Sequence, residues 1–236
     1  MQTKIIATIG PASRKLPILK KMIKAGMKIA RVNTKYGNQK IYLETLELLK
    51  QAGKCKVLFD IKGLAKIKFL QTLKFDYLAV SFSESVTQIK KLKKLFPKQK
   101  IIAKIESKKG LKNLDQLIKV SDGIMVARGD LGENISLEKV PITQKLIIKK
   151  CAKAGKFDIT ATEMLLSMVN AKTPERAEVS DVANAILDGS DALMLSEETA
   201  IGKHPVLAVE MMARVIKEVE KNRYSVSYTH LTLPTN

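Results

Sequence analysis

The sequence predicts an α/β protein with one domain, residues 1–223, in which eight strands and their helices close into a (β/α)8 TIM barrel. Three observations support this fold. Short β-rich runs alternate with amphipathic helical patterns along the chain. The strands are apolar on both faces, as a buried parallel sheet requires. Eight such units within 236 residues suit a closed barrel, which typically needs ~250 residues. An open doubly wound sheet is the alternative.

Eight runs rich in apolar and β-branched residues are predicted as strands. They are Lys4–Ile9, Lys28–Asn33, Lys56–Ile61, Tyr77–Phe82, Lys100–Ile105, Gly123–Ala127, Phe157–Ala161 and Ala192–Ser196. Between most of them, apolar residues recur three and four positions apart, as in Leu16–Ala25 and Ile41–Lys50, which predicts helices. The segment Gly63–Lys74 is the weakest helical pattern. Residues 224–236 contain no lysine and several Thr and Ser residues, which predicts a disordered, extraneous tail.

The composition is typical of a globular protein, because 45% of the residues are hydrophobic. No apolar run approaches the length of a membrane-spanning helix, and the first residues lack a signal-peptide pattern. Cys55 and Cys151 lie far apart, in neither a metal-binding nor a redox spacing. The sequence therefore predicts a cytoplasmic protein that does not contact membranes.

The formal net charge of +19 raises the question of nucleic-acid binding. However, 36 of the 42 basic residues are lysines, and they are spread along predicted helices such as Ile89–Leu95 and Ile147–Lys153. Aromatic residues make up only 5% of the chain, which leaves few surfaces on which bases could stack. A solvated basic surface is therefore preferred over a nucleic-acid site, although a positive field still attracts small phosphorylated anions.

Two charged motifs follow neighbouring predicted strands, namely Lys104-Ile105-Glu106 and Arg128–Gly132. Side chains alternate along a strand, so Lys104 and Glu106 point the same way. With Asp130 they provide two carboxylates for a divalent metal and an ammonium group beside it. This combination stabilises charge on an oxyanion or on a phosphoryl group in transfer. An internal salt bridge without a catalytic role is the alternative, because a buried charge needs a partner in either case.

Polar residues also follow most of the other predicted strands. In a (β/α)8 barrel the catalytic groups come from the carboxyl ends of the strands, so these residues are expected to converge on one site. They are Arg31 and Asn33, Asp60 and Lys62, Ser81, Lys104 and Glu106, Asp130, Thr162, and Ser196 with Glu198.

These segments together resemble pyruvate kinase, and the resemblance extends to about Glu220. Six blocks occur in the family's order: Thr3–Ser13, Ala25–Asn33, Lys104–Glu106, Ser121–Gly132, Arg176–Leu187 and Leu195–Ala200. The resemblance implies a glycolytic phosphotransferase that converts phosphoenolpyruvate and ADP to pyruvate and ATP, with Mg²⁺ and K⁺ as cofactors. Self-association into a homo-oligomer is left open.

The resemblance also implies roles for individual residues at the reacting centre. Glu106 and Asp130 match the family's Mg²⁺ ligands, and Lys104 matches the cation that neutralises the phosphoryl group in transfer. Arg31 matches the guanidinium that grips this phosphate, for which the planar group is well suited. Histidine chemistry is not expected, since His204 precedes a proline at a predicted helix start and is interpreted as a loop residue.

The resemblance also implies residues that bind the substrate carboxylate, the nucleotide and the monovalent cation, and residues near the proton path. The backbone amides of Gly129 and Asp130, with the Thr162 hydroxyl, would hold the substrate carboxylate, since consecutive amides in a glycine-containing turn bind anions. Ser196 and Glu198 match groups near the proton path to the enolate. The nucleotide-binding positions are Thr8, Pro11, Asn33 and Tyr36, and the monovalent-cation positions are Asn33, Asp60 and Ile61.

Two departures from the family pattern affect these expectations. The family inserts a lid domain after the third strand and adds a domain after the barrel, whereas here the chain passes from Gly63 to the fourth strand in little over a dozen residues. A lid excludes water, so we expect weak nucleotide affinity, slow turnover or loss of phosphoryl groups to water. In addition, Lys35 and Tyr36 replace a serine and a histidine. The Lys35 ammonium would then take the place of K⁺ beside Asp60, or else point into solvent.

Two other functions are consistent with the same residues. A Mg²⁺-dependent enzyme that forms an enolate from a 2-oxo acid, such as an aldolase or a decarboxylase, would need Glu106 and Asp130 but no ADP. A barrel that binds phosphoenolpyruvate without catalysis would be stabilised by the ligand without turnover. The phosphate-directed Lys104 and Arg31 favour the kinase over the enolate enzyme.

Overall fold

The computed structural model describes residues 2–222 and contains eight parallel strands that close into one barrel. Each strand pairs with the next along the chain, and β8 pairs with β1. The predicted (β/α)8 TIM barrel is therefore confirmed. The strands are β1 (Lys4–Thr8), β2 (Met27–Asn33), β3 (Lys56–Ile61), β4 (Tyr77–Val80), β5 (Lys100–Ile105), β6 (Gly123–Ala127), β7 (Phe157–Ala161) and β8 (Ala192–Leu195).

The helices surround this barrel and connect its strands. They are α1 (Leu16–Ala25), α2 (Gln39–Ala52), α3 (Ile67–Leu70), α4 (Val86–Leu95), α5 (Lys108–Lys112), α6 (Leu114–Val120), α7 (Arg128–Asn134), α8 (Val140–Lys153), α9 (Arg176–Leu187), α10 (Glu197–Ala200) and α11 (Pro205–Asn222). None of the helices within residues 2–222 combines the length and the hydropathy needed to cross a membrane. The expected tail, residues 224–236, lies outside the described part of the chain.

The predicted strand positions are confirmed, with small differences at some ends. β4 ends at Val80 rather than Phe82, because Phe82 has a φ of 48° and cannot continue an extended strand. The weak helical pattern at Gly63–Lys74 yields only the four-residue α3. Between Ile61 and Tyr77 the described chain therefore contains one short helix and no lid domain.

The core has two layers, one on each side of the barrel wall. The larger layer lies between strands and helices, whereas the inner layer fills the barrel and includes Ile6, Ile29, Leu58 and Ile102. Two residues further along each of these strands, the side chain points inward again. The residues at those positions are Thr8, Arg31, Asp60 and Lys104. The barrel filling thus changes from apolar to polar at the carboxyl ends of the strands.

A separate polar cluster lies in β7 and the turn before β8. The Ser190 hydroxyl donates to the Asp158 carboxylate at 2.7 Å and lies 2.7 Å from the Thr160 hydroxyl, and all three side chains are buried. Burial raises the pKa of Asp158 to about 7, and the nearby Asp191 carboxylate adds to the shift, while the Ser190 hydrogen bond opposes it. The folded protein therefore holds a proton at Asp158 over a pH range in which the unfolded chain has lost it.

We expect this carboxyl group to make the protein less stable as the pH rises from about 4 to about 7. In that window the folded state binds more protons than the unfolded state, so the free energy of unfolding falls, and above about pH 7 it levels off. The full decrease is on the order of 4 kcal/mol. The Asp158→Asn variant should lack most of this decrease, whereas Asp115→Asn, at an exposed carboxylate, should retain it. Urea unfolding of the three proteins at several pH values measures the slopes, and equal slopes would contradict the expectation.

Candidate active site

The carboxyl ends of β2, β3 and β5 bring four charged side chains together inside the barrel mouth. Arg31, Asp60, Lys104 and Glu106 are only 7%, 1%, 6% and 1% exposed, respectively. Asp60 lies opposite Asn33 in the register between β2 and β3, which places its carboxylate next to the inward-pointing Arg31. The structure thus joins residues that are as far as 75 positions apart in the sequence.

Asp60 is the common acceptor of this charged cluster. Its Oδ2 atom lies 3.0 Å from Arg31 Nε and 2.9 Å from Arg31 Nη2. Its two oxygens also lie 3.1 and 3.0 Å from Lys104 Nζ. Lys104 Nζ further contacts Glu106 Oε1 at 2.9 Å and donates to Ser81 Oγ at 3.0 Å. Two cations and two carboxylates therefore form a closely balanced buried group.

The pKa shifts agree with this arrangement. Burial opposes ionisation of both Asp60 and Lys104, but their mutual attraction and the neighbouring charges outweigh it. The pKa of Asp60 is therefore lowered, and that of Lys104 is raised. The pKa of Glu106 is raised, because burial outweighs the attraction of Lys104 and because the Asp130 carboxylate adds repulsion. The role of Asp130 and Glu106 as a pair of metal ligands stays a prediction.

The two carboxylate oxygens of Glu106 have different partners. Its Oε2 atom accepts a hydrogen bond from the Phe82 backbone N–H at 2.6 Å. Its Oε1 atom is buried and forms an ion pair with Lys104 Nζ at 2.9 Å, although this contact lacks the angles of a hydrogen bond. A carboxylate oxygen can accept from more than one partner, so Oε1 has the capacity to bind a metal ion beside Lys104.

The described chain contains no group of three or more His, Cys, Asp or Glu side chains arranged to hold a metal ion. The predicted metal ligands are Glu106 and Asp130, whereas the Asp60 carboxylate is paired with Arg31 and Lys104. Mg²⁺ is usually bound through one or two carboxylates, with water and substrate oxygens completing its octahedron. The donor set fits Mg²⁺ better than a metal that needs a complete cage of protein ligands.

Gly129 and Thr162, which are predicted to bind the substrate carboxylate, lie close together where β6 and β7 end. The Gly129 backbone N–H donates to Thr162 Oγ1 at 2.8 Å, and the Thr162 hydroxyl donates to the Ala161 carbonyl at 2.6 Å. Gly129 and Thr162 are therefore neighbours, as the prediction of a shared anion site requires. In this structure, however, the Gly129 donor is already bound by Thr162, so an incoming carboxylate would have to displace that hydroxyl oxygen.

A cavity of about 360 Å³ adjoins the charged cluster. Arg31 and Ser196 line this cavity. The lining also includes all four predicted nucleotide-binding residues, which are Thr8, Pro11, Asn33 and Tyr36. Arg31 Nη1 donates to Thr8 Oγ1 at 2.9 Å, which connects this cavity to the cluster around Asp60. Tyr36 is 66% exposed at the rim, so its ring is open to a ligand that enters the cavity.

Ser196 and Glu198 follow β8 and are both buried. Glu198 accepts backbone hydrogen bonds from Leu165 at 3.0 Å and from Ser196 at 2.6 Å. Burial nevertheless raises its pKa, so its carboxyl group keeps a proton more readily than an exposed glutamate. The Ser196 hydroxyl has no hydrogen-bond partner among residues 2–222. This pair therefore combines a buried carboxyl group of raised pKa with an unpaired hydroxyl close to the cavity.

The structure places Lys35 away from the position that the K⁺ hypothesis needs. Its side chain is exposed, and its ammonium lies 5.5 Å from the ring centre of Tyr36. The cations that contact Asp60 are Arg31 and Lys104 instead. The ammonium of Lys35 is therefore directed to the surface, which matches the alternative interpretation.

Ile61 and Asn33, the other monovalent-cation positions, have contacts of their own. The Ile61 carbonyl accepts the Ser81 N–H at 2.9 Å, and Asn33 Oδ1 accepts the Lys35 N–H at 3.0 Å. Each of these oxygens retains a second lone pair that is open to a cation. Their role as cation ligands stays a prediction.

Some residues of the site were not predicted from the sequence. The Phe82 N–H that holds Glu106 comes from a left-handed residue that is not glycine, and no sequence signal marks such a residue. Arg128 belongs to the motif Arg128–Gly132, but the sequence indicates no role for its side chain. Lys66, in the segment that replaces the lid, donates to the Tyr42 hydroxyl at 2.8 Å and to the Thr34 carbonyl, and so supports the loop after β2.

Comparisons with known proteins point to one family. The family model described as pyruvate kinase, barrel domain, matches residues 1–67 and 58–209. The chain is similar to pyruvate kinase from Thermococcus litoralis, with 34% identity over 342 aligned positions that cover 98% of the chain and 72% of that protein. Because the chain has only 236 residues, more than a hundred of the aligned positions belong to that relative alone. The family model matches the chain in two segments, and the second segment starts just after β3 begins.

Two further relatives match shorter stretches at higher identity. Pyruvate kinase from Methanocaldococcus jannaschii is 44% identical over 169 residues, which cover 70% of the chain and 38% of that protein. Pyruvate kinase from Thermotoga maritima is 50% identical over 150 residues, which cover 62% of the chain and 32% of that protein. The matched regions therefore span only about a third of each of these two relatives.

Proposed function

This chain belongs to the pyruvate kinase family, and on that basis we propose that it transfers the phosphoryl group of phosphoenolpyruvate to ADP, forming pyruvate and ATP. The observation that carries the proposal is the buried cluster of Arg31, Asp60, Lys104 and Glu106 at the barrel mouth. Phosphoryl transfer needs little covalent chemistry from the protein and depends mainly on positioning and electrostatics. A preorganised cation in a site with little water supplies this kind of stabilisation.

Lys104 and Arg31 would act on the phosphoryl group. Asp60 fixes both cations, so their positions do not have to be organised when the substrate arrives. A fixed ammonium stabilises the charge on the phosphoryl oxygens as the bond to the enolate oxygen weakens. The guanidinium of Arg31 would hold the same group by paired hydrogen bonds.

Mg²⁺ is the proposed metal, held by Glu106 and Asp130. When bound, it would neutralise phosphate charge and polarise the oxygen that leaves as the enolate. The position of Glu106 supports this assignment, because the Phe82 N–H keeps one carboxylate oxygen in place and the other lies beside the Lys104 ammonium at the barrel mouth. K⁺ is proposed as a second cation near Asn33, Asp60 and Ile61.

The other groups would orient the two substrates. The amides of Gly129 and Asp130 with Thr162 would hold the carboxylate of phosphoenolpyruvate, and the cavity lined by Thr8, Pro11, Asn33 and Tyr36 would receive the nucleotide. Ser196 and Glu198 would lie on the proton path to the enolate carbon, and the unpaired Ser196 hydroxyl and the raised pKa of Glu198 support this role. We place this reaction in glycolysis and in the cytoplasm, and leave assembly into a homo-oligomer open.

Pyruvate formation by the purified 236-residue chain tests this proposal. With phosphoenolpyruvate, ADP and Mg²⁺ at millimolar concentrations, we expect pyruvate in a lactate-dehydrogenase-coupled assay, and removal of Mg²⁺ with a chelator should lower the rate to the blank. Because the lid is missing, inorganic phosphate should also be released, since water then reaches the phosphoryl group. Failure to form pyruvate above the blank with all components present would refute the proposal. Pyruvate formed equally well without ADP would indicate hydrolysis.

A further inference from the structure

The turn after β7 is strained at two successive residues. Thr162 has a φ of 69° and Glu163 has a φ of 53°, and neither is a glycine. For residues with a side chain the left-handed region is unfavourable, and such residues persist only where the surroundings hold them. This turn also carries the Thr162 hydroxyl that contacts Gly129. Something must therefore hold the turn in place.

The Arg128 guanidinium holds the outer side of the turn. Its Nε and Nη2 atoms donate to the Thr162 carbonyl at 3.2 and 2.7 Å, and Nη2 also donates to the Glu163 carbonyl at 2.9 Å. The Arg128 side chain is only 10% exposed. One planar cation thus binds the carbonyls of both left-handed residues, and charged donors make stronger hydrogen bonds than neutral ones.

The opposite side of the guanidinium is fixed by α8 and α9. Arg128 Nη1 lies 2.5 Å from Asp181 Oδ2 on α9 and 3.4 Å from Gln144 Oε1 on α8. Asp181 therefore sets the orientation in which Arg128 meets the turn. Asp188, which follows α9, is a useful comparison, because it pairs with Lys145 and Gln144 and makes no hydrogen bond or ion pair with Arg128 in the described chain.

We propose that Arg128, oriented by Asp181, is a positioning residue that holds the Thr162–Glu163 turn in the geometry needed to bind the substrate carboxylate. The inference rests on the proposed function for the identity of the substrate. Arg128 would act through the turn, because its donors are directed at the backbone carbonyls of the turn and at Asp181 and Gln144. Its loss should therefore affect phosphoenolpyruvate more than ADP.

Amide hydrogen exchange tests the turn independently of catalysis. Gly129 lies in the first turn of α7, where backbone N–H groups have no partner within the helix, so its protection depends on Thr162 Oγ1. In Arg128→Gln we expect exchange at Gly129 to be about 10- to 100-fold faster, with β5 unchanged, and in Asp181→Asn we expect a smaller increase. Asp188→Asn should leave Gly129 unchanged. Unchanged exchange at Gly129 in both test variants would overturn the proposal.

Steady-state kinetics provide the second measurement. Arg128→Gln should raise KM for phosphoenolpyruvate by about 10-fold or more and leave KM for ADP within about 2-fold, while Arg128→Lys should recover part of the loss. Equal effects of Asp181→Asn and Asp188→Asn would show a merely structural role and overturn the inference. If the unmodified protein forms no pyruvate, the proposed function fails, but hydrogen exchange still decides whether Arg128 holds the turn. If Arg128→Gln does not fold, Asp181→Asn provides the same comparison.

Discussion

Replacing Lys104 with methionine is expected to lower the rate of pyruvate formation by about 10³-fold, with little change in KM for ADP. Removing one preorganised donor from a charge-stabilising site typically costs about 10²- to 10³-fold in rate. Lys104 is a full charge in a buried site, which places the expected loss at the upper end of this range. The methionine side chain is similar in length and apolar, so it fills much of the same space.

The fold should tolerate this replacement better than the reaction does. After the change Asp60 keeps Arg31 as its partner, and Glu106, with its raised pKa, can take up a proton when its cation is lost. Lys100→Met is the matched control, because Lys100 is exposed at the opposite end of β5 and should retain the full rate. Glu106→Gln should also lose the rate and should no longer respond to added Mg²⁺. Full activity of Lys104→Met would show that this ammonium does not act on the phosphoryl group.

Much of the site could be predicted because strand periodicity is a local property. Lys104 and Glu106 share one side of β5 because side chains alternate, and this needed only a correct strand assignment. The convergence of Arg31, Asp60 and Lys104 needed the further assumption that eight parallel strands close into a barrel. Once closure is granted, the carboxyl ends of the strands must meet at one rim.

The unpredicted features depend on interactions that no local pattern encodes. That Asp60 would be the shared partner of Arg31 and Lys104 depends on the register between strands, which the sequence does not show. The left-handed conformations of Phe82 and Thr162 have no glycine to mark them, and tertiary contacts impose them. The direction of Lys35 was open for a related reason, since a long flexible side chain on a loop can reach either the site or the solvent.

Replacing Asp60 with asparagine is expected to have the largest effect on stability, lowering the free energy of unfolding by about 3 to 5 kcal/mol at pH 7. Asn keeps the shape of Asp but removes the charge that Arg31 and Lys104 share, so the cluster is left with two cations and the single carboxylate of Glu106. Breaking a buried ion pair by removing one partner leaves a charge without compensation, which costs more than the pair contributes. Urea unfolding followed by circular dichroism measures the change.

Asp115→Asn is the matched control, because it removes the same charge from an ion pair at the surface. Asp115 contacts Lys150 at 2.5 Å, but its side chain is 73% exposed, so we expect a change of less than about 1 kcal/mol. The pH dependence separates the two variants further. The pKa of Asp60 is lower in the folded protein than in the unfolded chain. The Asp60 carboxylate therefore contributes to the free energy of unfolding above its unfolded-state pKa, and this contribution is lost as the pH falls through its folded-state pKa. The difference in the free energy of unfolding between Asp60→Asn and the unmodified protein should therefore become smaller at acidic pH. A constant difference down to low pH would show that Asp60 acts through packing rather than through its charge.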